Sequence, residues 1–140
     1  MIIKTSRLFL REMSQADYPA LCKILQDPDV MYAYEGIYSD SETQEWLDKQ
    51  IRNYEQYGFG LWAVTLKTTG EMIGQSGLTM QNYKDHQILE VGYLFQKAFW
   101  HNGYATEAAI ACRDYAFDKL DADEVFSIIR DNNTASQNVA

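Results

Sequence analysis

The sequence predicts one domain of the α+β (α/β) class, and three observations predict it. Short apolar runs, several alternating with period two, recur at residues 2–11, 61–67, 71–80, 88–95 and 124–130. Segments with apolar residues at helical spacing lie between them, around Leu21, around Leu47 and from Gly103 to Lys119. With 140 residues the chain can bury a real core without dividing into further domains.

Composition narrows the function classes. Hydrophobic residues make up 46% and aromatics 14%, which argues against disorder. No apolar run reaches the ~20 residues of a membrane-spanning helix. The opening, Met1-Ile-Ile-Lys-Thr-Ser-Arg7, lacks the apolar stretch and cleavage site of a secretion signal, so a cytoplasmic protein is expected. Cys22 and Cys112 fall at core-type helical positions and read as reduced, buried thiols. A net charge of −8 disfavours nonspecific nucleic-acid binding. It suits long-range attraction of cationic amines, and equally suits plain solubility. No His, Cys or Asp cluster has metal-ligand spacing, so no metal is expected.

In chain order, Ile2 to Arg11 reads as a strand with Leu8 and Leu10 on one face. Ser14-Gln-Ala-Asp17 resembles a capping box, and Pro19 moves the helix start towards Asp17. Tyr18, Leu21, Cys22 and Leu25 form its apolar face, and Asp27-Pro-Asp29 stops it. A short segment is expected at Val30 to Tyr34. Ser41-Glu-Thr-Gln-Glu45 puts acids at the positive end of the next helix, which Gly58 and Gly60 end. Leu61–Lys67 and Glu71–Met80 form a hairpin around Thr68-Thr-Gly70. Gln81 to Gln87 reads as a polar link.

The chain is organised around Glu90 to Ala109. Ile88 to Phe95 alternates, with Ile88, Glu90, Gly92 and Leu94 on one side and Leu89, Val91, Tyr93 and Phe95 on the other. Trp100-His-Asn-Gly103 then turns into an alanine-rich helix. The first amides of a helix have no intrahelical partner and carry partial positive charge, so this join suits a phosphate or diphosphate. Gly103 allows positive φ and close approach of a ligand to the backbone. An ordinary helix start after a strand would read the same way. Glu90 is an acid within an apolar strand: burial raises a carboxyl pKa and would fit it to accept an ammonium proton, while a structural ion pair is the competing reading.

Trp100-His-Asn-Gly-Tyr-Ala-Thr-Glu-Ala108 region residues resemble the acetyl-CoA loop of the GNAT superfamily of N-acetyltransferases, Gln/Arg-x-x-Gly-x-Gly/Ala, mapped onto Trp100 to Ala105. The closer resemblance is to the RimJ/RimL-like branch, ribosomal-protein N-acetyltransferases that often carry an aromatic where Trp100 stands. Thr5-Ser-Arg-Leu-Phe-Leu-Arg11, Gly74-Gln-Ser-Gly-Leu78 and Asp131 to Ala140 are similar to the family's opening strand, third strand and Asn-x-x-Ser segment, in the same order.

This resemblance implies a mixed sheet splayed after its fourth strand, with helices on both faces and acetyl-CoA in the opening. Tyr93, Leu94 and Phe95 would hydrogen-bond the pantetheine arm through their backbones. Amides of His101, Asn102, Gly103, Tyr104, Ala105 and Thr106 would hold the diphosphate, and Asn133 and Ser136 would contact the arm from the other side. Trp100 would not supply the guanidinium of the usual Arg. Tyr32, Tyr34, Glu35 and Tyr38 would line the pocket for the acceptor amine, a protein N-terminus or small molecule; rings covering the core would look alike in sequence. The family continues with a helix and two strands after Ala140, so the C-terminal part of the fold, with a general acid, is expected to lie outside these residues, and a homodimer could complete the sheet. The implied reaction is direct attack of a neutral amine on the thioester, with Glu90 as base through water. Gly103→Val is expected to weaken acetyl-CoA binding by backbone crowding. A non-catalytic acyl-CoA-binding module is the competing function. A Rossmann-type nucleotide site would need Gly-x-Gly-x-x-Gly early in the chain, and none occurs.

Overall fold

The computed structural model describes residues 2–32, 34, 36–83, 86–120, 122 and 125–127. Strands β1 (Ile3–Lys4), β2 (Leu8–Arg11), β3 (Leu61–Leu66), β4 (Met72–Tyr83), β5 (His86–Phe95) and β6 (Val125–Ser127) form one sheet in sequence order. Each pairs antiparallel with the next, except that β6 runs parallel to β5. The sheet is therefore mixed, as predicted. Helices α1 (Tyr18–Leu25), α2 (Asp40–Tyr57) and α3 (Tyr104–Lys119) flank it.

The alternation of β5 sorts two cores. Val91 and Phe95 join Leu8, Leu10, Trp62 and Val64 against α3. Leu94 joins Leu61, Ala63 and Met72 against Leu21, Ile24, Leu25 and Leu47 of α1 and α2. α3 meets the sheet through Ala105, Ala108, Ala109, Cys112 and Ala116, none more than 8% exposed. Small side chains let its backbone lie close to the strands. Trp62 is fully buried and meets Tyr115 edge-on, ring centres 5.2 Å apart.

α2 is held at both ends. Ser39 accepts the Glu42 amide, the Glu42 carboxylate accepts the Ser39 amide, and Gly58 closes the helix at φ +79°. Pro19 stands in the first turn of α1, where its missing N–H costs nothing, so that helix begins at Tyr18 after a short 3₁₀ turn.

Three expectations change. The opening strand is two strands: Thr5 N–H donates to the Leu8 carbonyl at 2.9 Å and Leu8 N–H to the Thr5 hydroxyl at 3.1 Å, folding a turn into what the sequence reads as one strand. Residues 81–83 and 86–87 belong to strands rather than to a link, because β4 and β5 stay paired as far as Tyr83 opposite His86. The region after Asp27 is a run of turns, with Met31 N–H on the Asp27 carbonyl and Tyr34 N–H on that of Met31. β4 and β5 keep one register from Gly74 opposite Phe95 to Tyr83 opposite His86, and the shift in this sheet falls between Val64 and Thr65 instead. Glu90 therefore keeps the face that simple alternation assigns it.

Candidate active site

The turn after β5 is tied down through its carbonyls and through the amides of Gln96, Phe99 and Trp100, and among the described residues the amides that follow are left open. Gln96 fixes its start, with its N–H on the Ile73 carbonyl and its side-chain amide on that of Met72 at 2.8 Å. Residues Lys97–Phe99 make one 3₁₀ turn, closed by Trp100 N–H on the Lys97 carbonyl. The Trp100 indole donates to the Phe95 carbonyl at 3.0 Å. Asn102 turns its side-chain NH₂ back onto the carbonyls of Phe99 and Trp100.

His101 has φ +68°, the one positive φ on a non-glycine among the described residues, and Gly103 has φ +79° with ψ 4°. Left-handed residues spaced this way turn successive N–H groups to one side and form an anion-binding concavity. Among the described residues, no protein acceptor takes the amides of His101, Asn102, Gly103, Tyr104, Ala105 or Thr106; the first amide of α3 to find one is Glu107, on the Gly103 carbonyl at 3.0 Å. A hollow of about 320 Å³ opens here, lined by Phe95, Trp100, His101, Gly103, Ala105 and Thr106 among others. Tyr104 also lines it, while Asn102, with its side chain folded back, does not.

The back of the turn is gripped from the β1–β2 hairpin. Arg7 Nη1 donates to the Asn102 carbonyl at 2.9 Å, and its Nε to Glu107 at 2.7 Å. The Arg7 N–H and the Thr5 hydroxyl fill the other Glu107 oxygen. Burial works to raise the Glu107 carboxyl, but the hydrogen bonds from Thr5 and Arg7 outweigh it and hold the group below its ordinary value.

A second cleft, of about 350 Å³, lies on the opposite face of the sheet between β5 and α2. Glu90, Tyr93 and Leu94 line it from β5, Thr79 and Gln81 from β4, and Trp46, Lys49, Gln50, Asn53 and Tyr57 from α2. Glu90 is half-buried and sits opposite Thr79. The Trp46 indole donates to the buried Gln75 side chain at 2.9 Å, which sets one wall.

The structure divides the aromatic set predicted for the acceptor. Tyr34 lines the cleft with Glu90. Tyr38 stands behind it, edge-on to Trp46 with ring centres 5.6 Å apart. Tyr32 is 75% exposed and borders a different hollow with Asp29, Lys97 and Trp100. Glu35, Asn133 and Ser136 lie outside the described residues. Sequence reasoning missed the α2 wall and Arg7. The α2 residues carry a legible signal, a mostly polar stripe at helical spacing (46, 49, 50, 53, 57) beside the apolar stripe of Leu47, Ile51 and Tyr54. Arg7 carries none, since its partners are about a hundred residues away.

Comparison with known proteins agrees with this architecture. The acetyltransferase (GNAT) domain family matches residues 7–140. YkkB, an uncharacterised Bacillus subtilis protein, is 40% identical over 137 residues, covering 97% of this chain and 80% of that protein. An acetyltransferase structure from Agrobacterium tumefaciens is 31% identical with a TM-score of 0.83, covering 98% of this chain and 78% of its own. RimL, a ribosomal-protein α-N-acetyltransferase bound to coenzyme A, shares the fold at 19% identity and a TM-score of 0.74, over 99% of this chain and 79% of its own. With a family match over nearly the whole length and a relative at 40% identity, this chain belongs to the GNAT acetyltransferases and is an acyltransferase.

Proposed function

We propose that this protein transfers the acetyl group of acetyl-CoA to a primary amine. One observation carries the reading: the consecutive amides from His101 to Thr106 have no protein acceptor among the described residues, and all of these residues except Asn102 line a hollow. Such a run suits a diphosphate, whose oxygens accept several N–H bonds at the positive end of α3. That RimL was solved with coenzyme A supports the same ligand class. The backbones of Tyr93, Leu94 and Phe95 would hold the pantetheine arm as an added strand does, with Asn133 and Ser136 on its far side. Bound acetyl-CoA supplies an activated thioester.

The residues of the chain then orient, exclude water and move a proton. The cleft between β5 and α2 would admit the acceptor, with Tyr34, Trp46 and Tyr57 covering its apolar part and Tyr38 bracing Trp46. Tyr32 and Glu35 belong to the same acceptor region by resemblance alone. Glu90 would take the ammonium proton through water, leaving a neutral amine to attack the carbonyl and release the CoA thiol. Most of the rate enhancement would come from holding amine and thioester in reacting geometry. Backbone N–H groups of β5 would stabilise the developing oxyanion. The net charge of −8 would draw cationic acceptors towards the protein.

The test is thiol release from acetyl-CoA with a panel of amino-terminal peptides, polyamines, amino sugars and amino acids. Release with at least one amine, and acetylated product by mass spectrometry, is expected. CoA binding without release from any amine would favour a binding module instead.

A further inference from the structure

The loop has no Arg at its first position, yet a guanidinium stands behind it. Arg7 reaches from the β1–β2 turn to the Asn102 carbonyl at 2.9 Å, to Glu107 at 2.7 Å, and over the Tyr104 ring at 4.4 Å. In a trans peptide the C=O and N–H point in opposite directions. Holding the Asn102 carbonyl on Arg7 therefore turns the Gly103 N–H the other way. Gly103 is also where the chain takes its left-handed conformation and where the hollow opens.

Glu107 adds an electrostatic side. An acid in the first turn of a helix uses the same positive end that an incoming diphosphate needs. Here its two oxygens are occupied by the Arg7 guanidinium and amide and by the Thr5 hydroxyl. The Arg7 side chain is 46% exposed, and an ion pair that open to solvent adds little to fold stability. Its effect falls on what it holds.

We propose that Arg7 is a positioning residue for diphosphate binding: it fixes the Asn102–Gly103 peptide and neutralises Glu107, taking over from behind the loop part of the task that an Arg at position 100 would perform. The proposal rests on the acetyl-CoA reading. It predicts a defect confined to ligands that carry the diphosphate.

The experiment compares two affinities: CoA by calorimetry, and S-acetylpantetheine, which has the arm but no phosphate, by NMR titration. Arg7→Gln is expected to weaken CoA about tenfold, the scale of a lost hydrogen bond to a charged group, and to leave S-acetylpantetheine within about twofold. Arg7→Gln/Glu107→Gln should recover about threefold or more of the CoA loss, because the uncompensated carboxylate is gone. Arg7→Lys keeps the charge but not the two-pronged grip, and should fall between wild type and Arg7→Gln. If Arg7→Gln does not fold, Arg7→Lys carries the same comparison of the two ligands. Equal losses for both ligands, or a CoA affinity within about twofold of wild type in a folded variant, would overturn the proposal. Failure of the wild type itself to bind CoA would instead remove the acetyl-CoA reading.

Discussion

Gly103 offers the sharpest test of the loop. A Cβ added there would meet only Arg7 Nη2, at 3.3 Å, a contact that a shift of a few tenths of an ångström relieves. Crowding, which the sequence suggests as the harm done by Gly103→Val, is therefore the smaller effect. The backbone angle is the larger one, since φ +79° is costly for any residue with a Cβ. Alanine should cost roughly 1 kcal/mol, and β-branched valine about 2–3 kcal/mol. A free loop relieves that strain by rotating to negative φ, which scatters the amides. Binding must then restore the strained state, so the cost emerges as lost affinity. At 1.4 kcal/mol per tenfold, CoA should weaken by about fivefold for Gly103→Ala and by roughly 30- to 150-fold for Gly103→Val. Asparagine tolerates the left-handed region, so Gly103→Asn should stay within about threefold of wild type despite being larger than alanine. Calorimetry with CoA reads the series, and thermal melts confirm that each variant folds. Equal affinities for wild type and Gly103→Val, or losses that follow side-chain size rather than the cost of positive φ, would refute the reasoning.

Three further outcomes are expected. Glu90→Gln should lower kcat by ~10²–10⁴, the usual span of general acid–base help, and a change under about threefold across pH 6–9 would remove Glu90 from the chemistry. Asp17 is buried, which alone would raise its carboxyl, but both oxygens bond Arg11 at 2.8 Å and one takes the Ser14 amide, and together these hold it below its ordinary value. A depressed folded-state pKa gives stability that is full above the unfolded value of about 3.9 and is lost as pH falls through the folded one. Melting temperatures between about pH 5 and pH 2 should thus fall further for wild type than for Asp17→Asn, and parallel curves would refute the link. Burial pushes the Cys112 thiol up to about 12, so alkylation of the native protein near pH 8 should spare it and label Cys22, as peptide mapping would show.

Much of the fold was legible because its causes are local. An apolar run before Thr68-Thr-Gly70 located β3, a second apolar run located β5, and alternation within β5 assigned Glu90 and Leu94 to one face and Val91 and Phe95 to the other. Glu42 is one of the acids that marked the start of α2, its capping partner Ser39 lies two residues before the expected opening at Ser41, and Gly58 ends the helix. The turn around Gly103 was legible for the same reason: a strand, a glycine and a helix start lie within a dozen residues. Misreadings came where a local rule had two outcomes. Within Ile2–Arg11 the polar stretch Lys4 to Arg7 reads equally as the exposed middle of one strand and as a turn, and the Thr5 hydroxyl folds the turn there. A polar stretch such as 81–87 suits a link and continued strand equally well, and pairing between β4 and β5 extends the strands to Tyr83 and His86.

Amide orphans at a helix start, an acid in an apolar strand and a glycine that permits positive φ are properties of neighbouring residues, and the sequence by itself determined them. Which rings share a cleft with Glu90 was left to tertiary packing, because Trp46 and Tyr57 reach it only when α2 settles on the sheet, and Tyr34 only when the turns before α2 fold against it. The same holds for the guanidinium behind the loop. Arg7 and Glu107 are a hundred residues apart, and only the registers that carry the chain from β2 through β5 into α3 bring them within hydrogen-bond reach. No periodicity encodes a contact at that separation; it forms when the surrounding core closes.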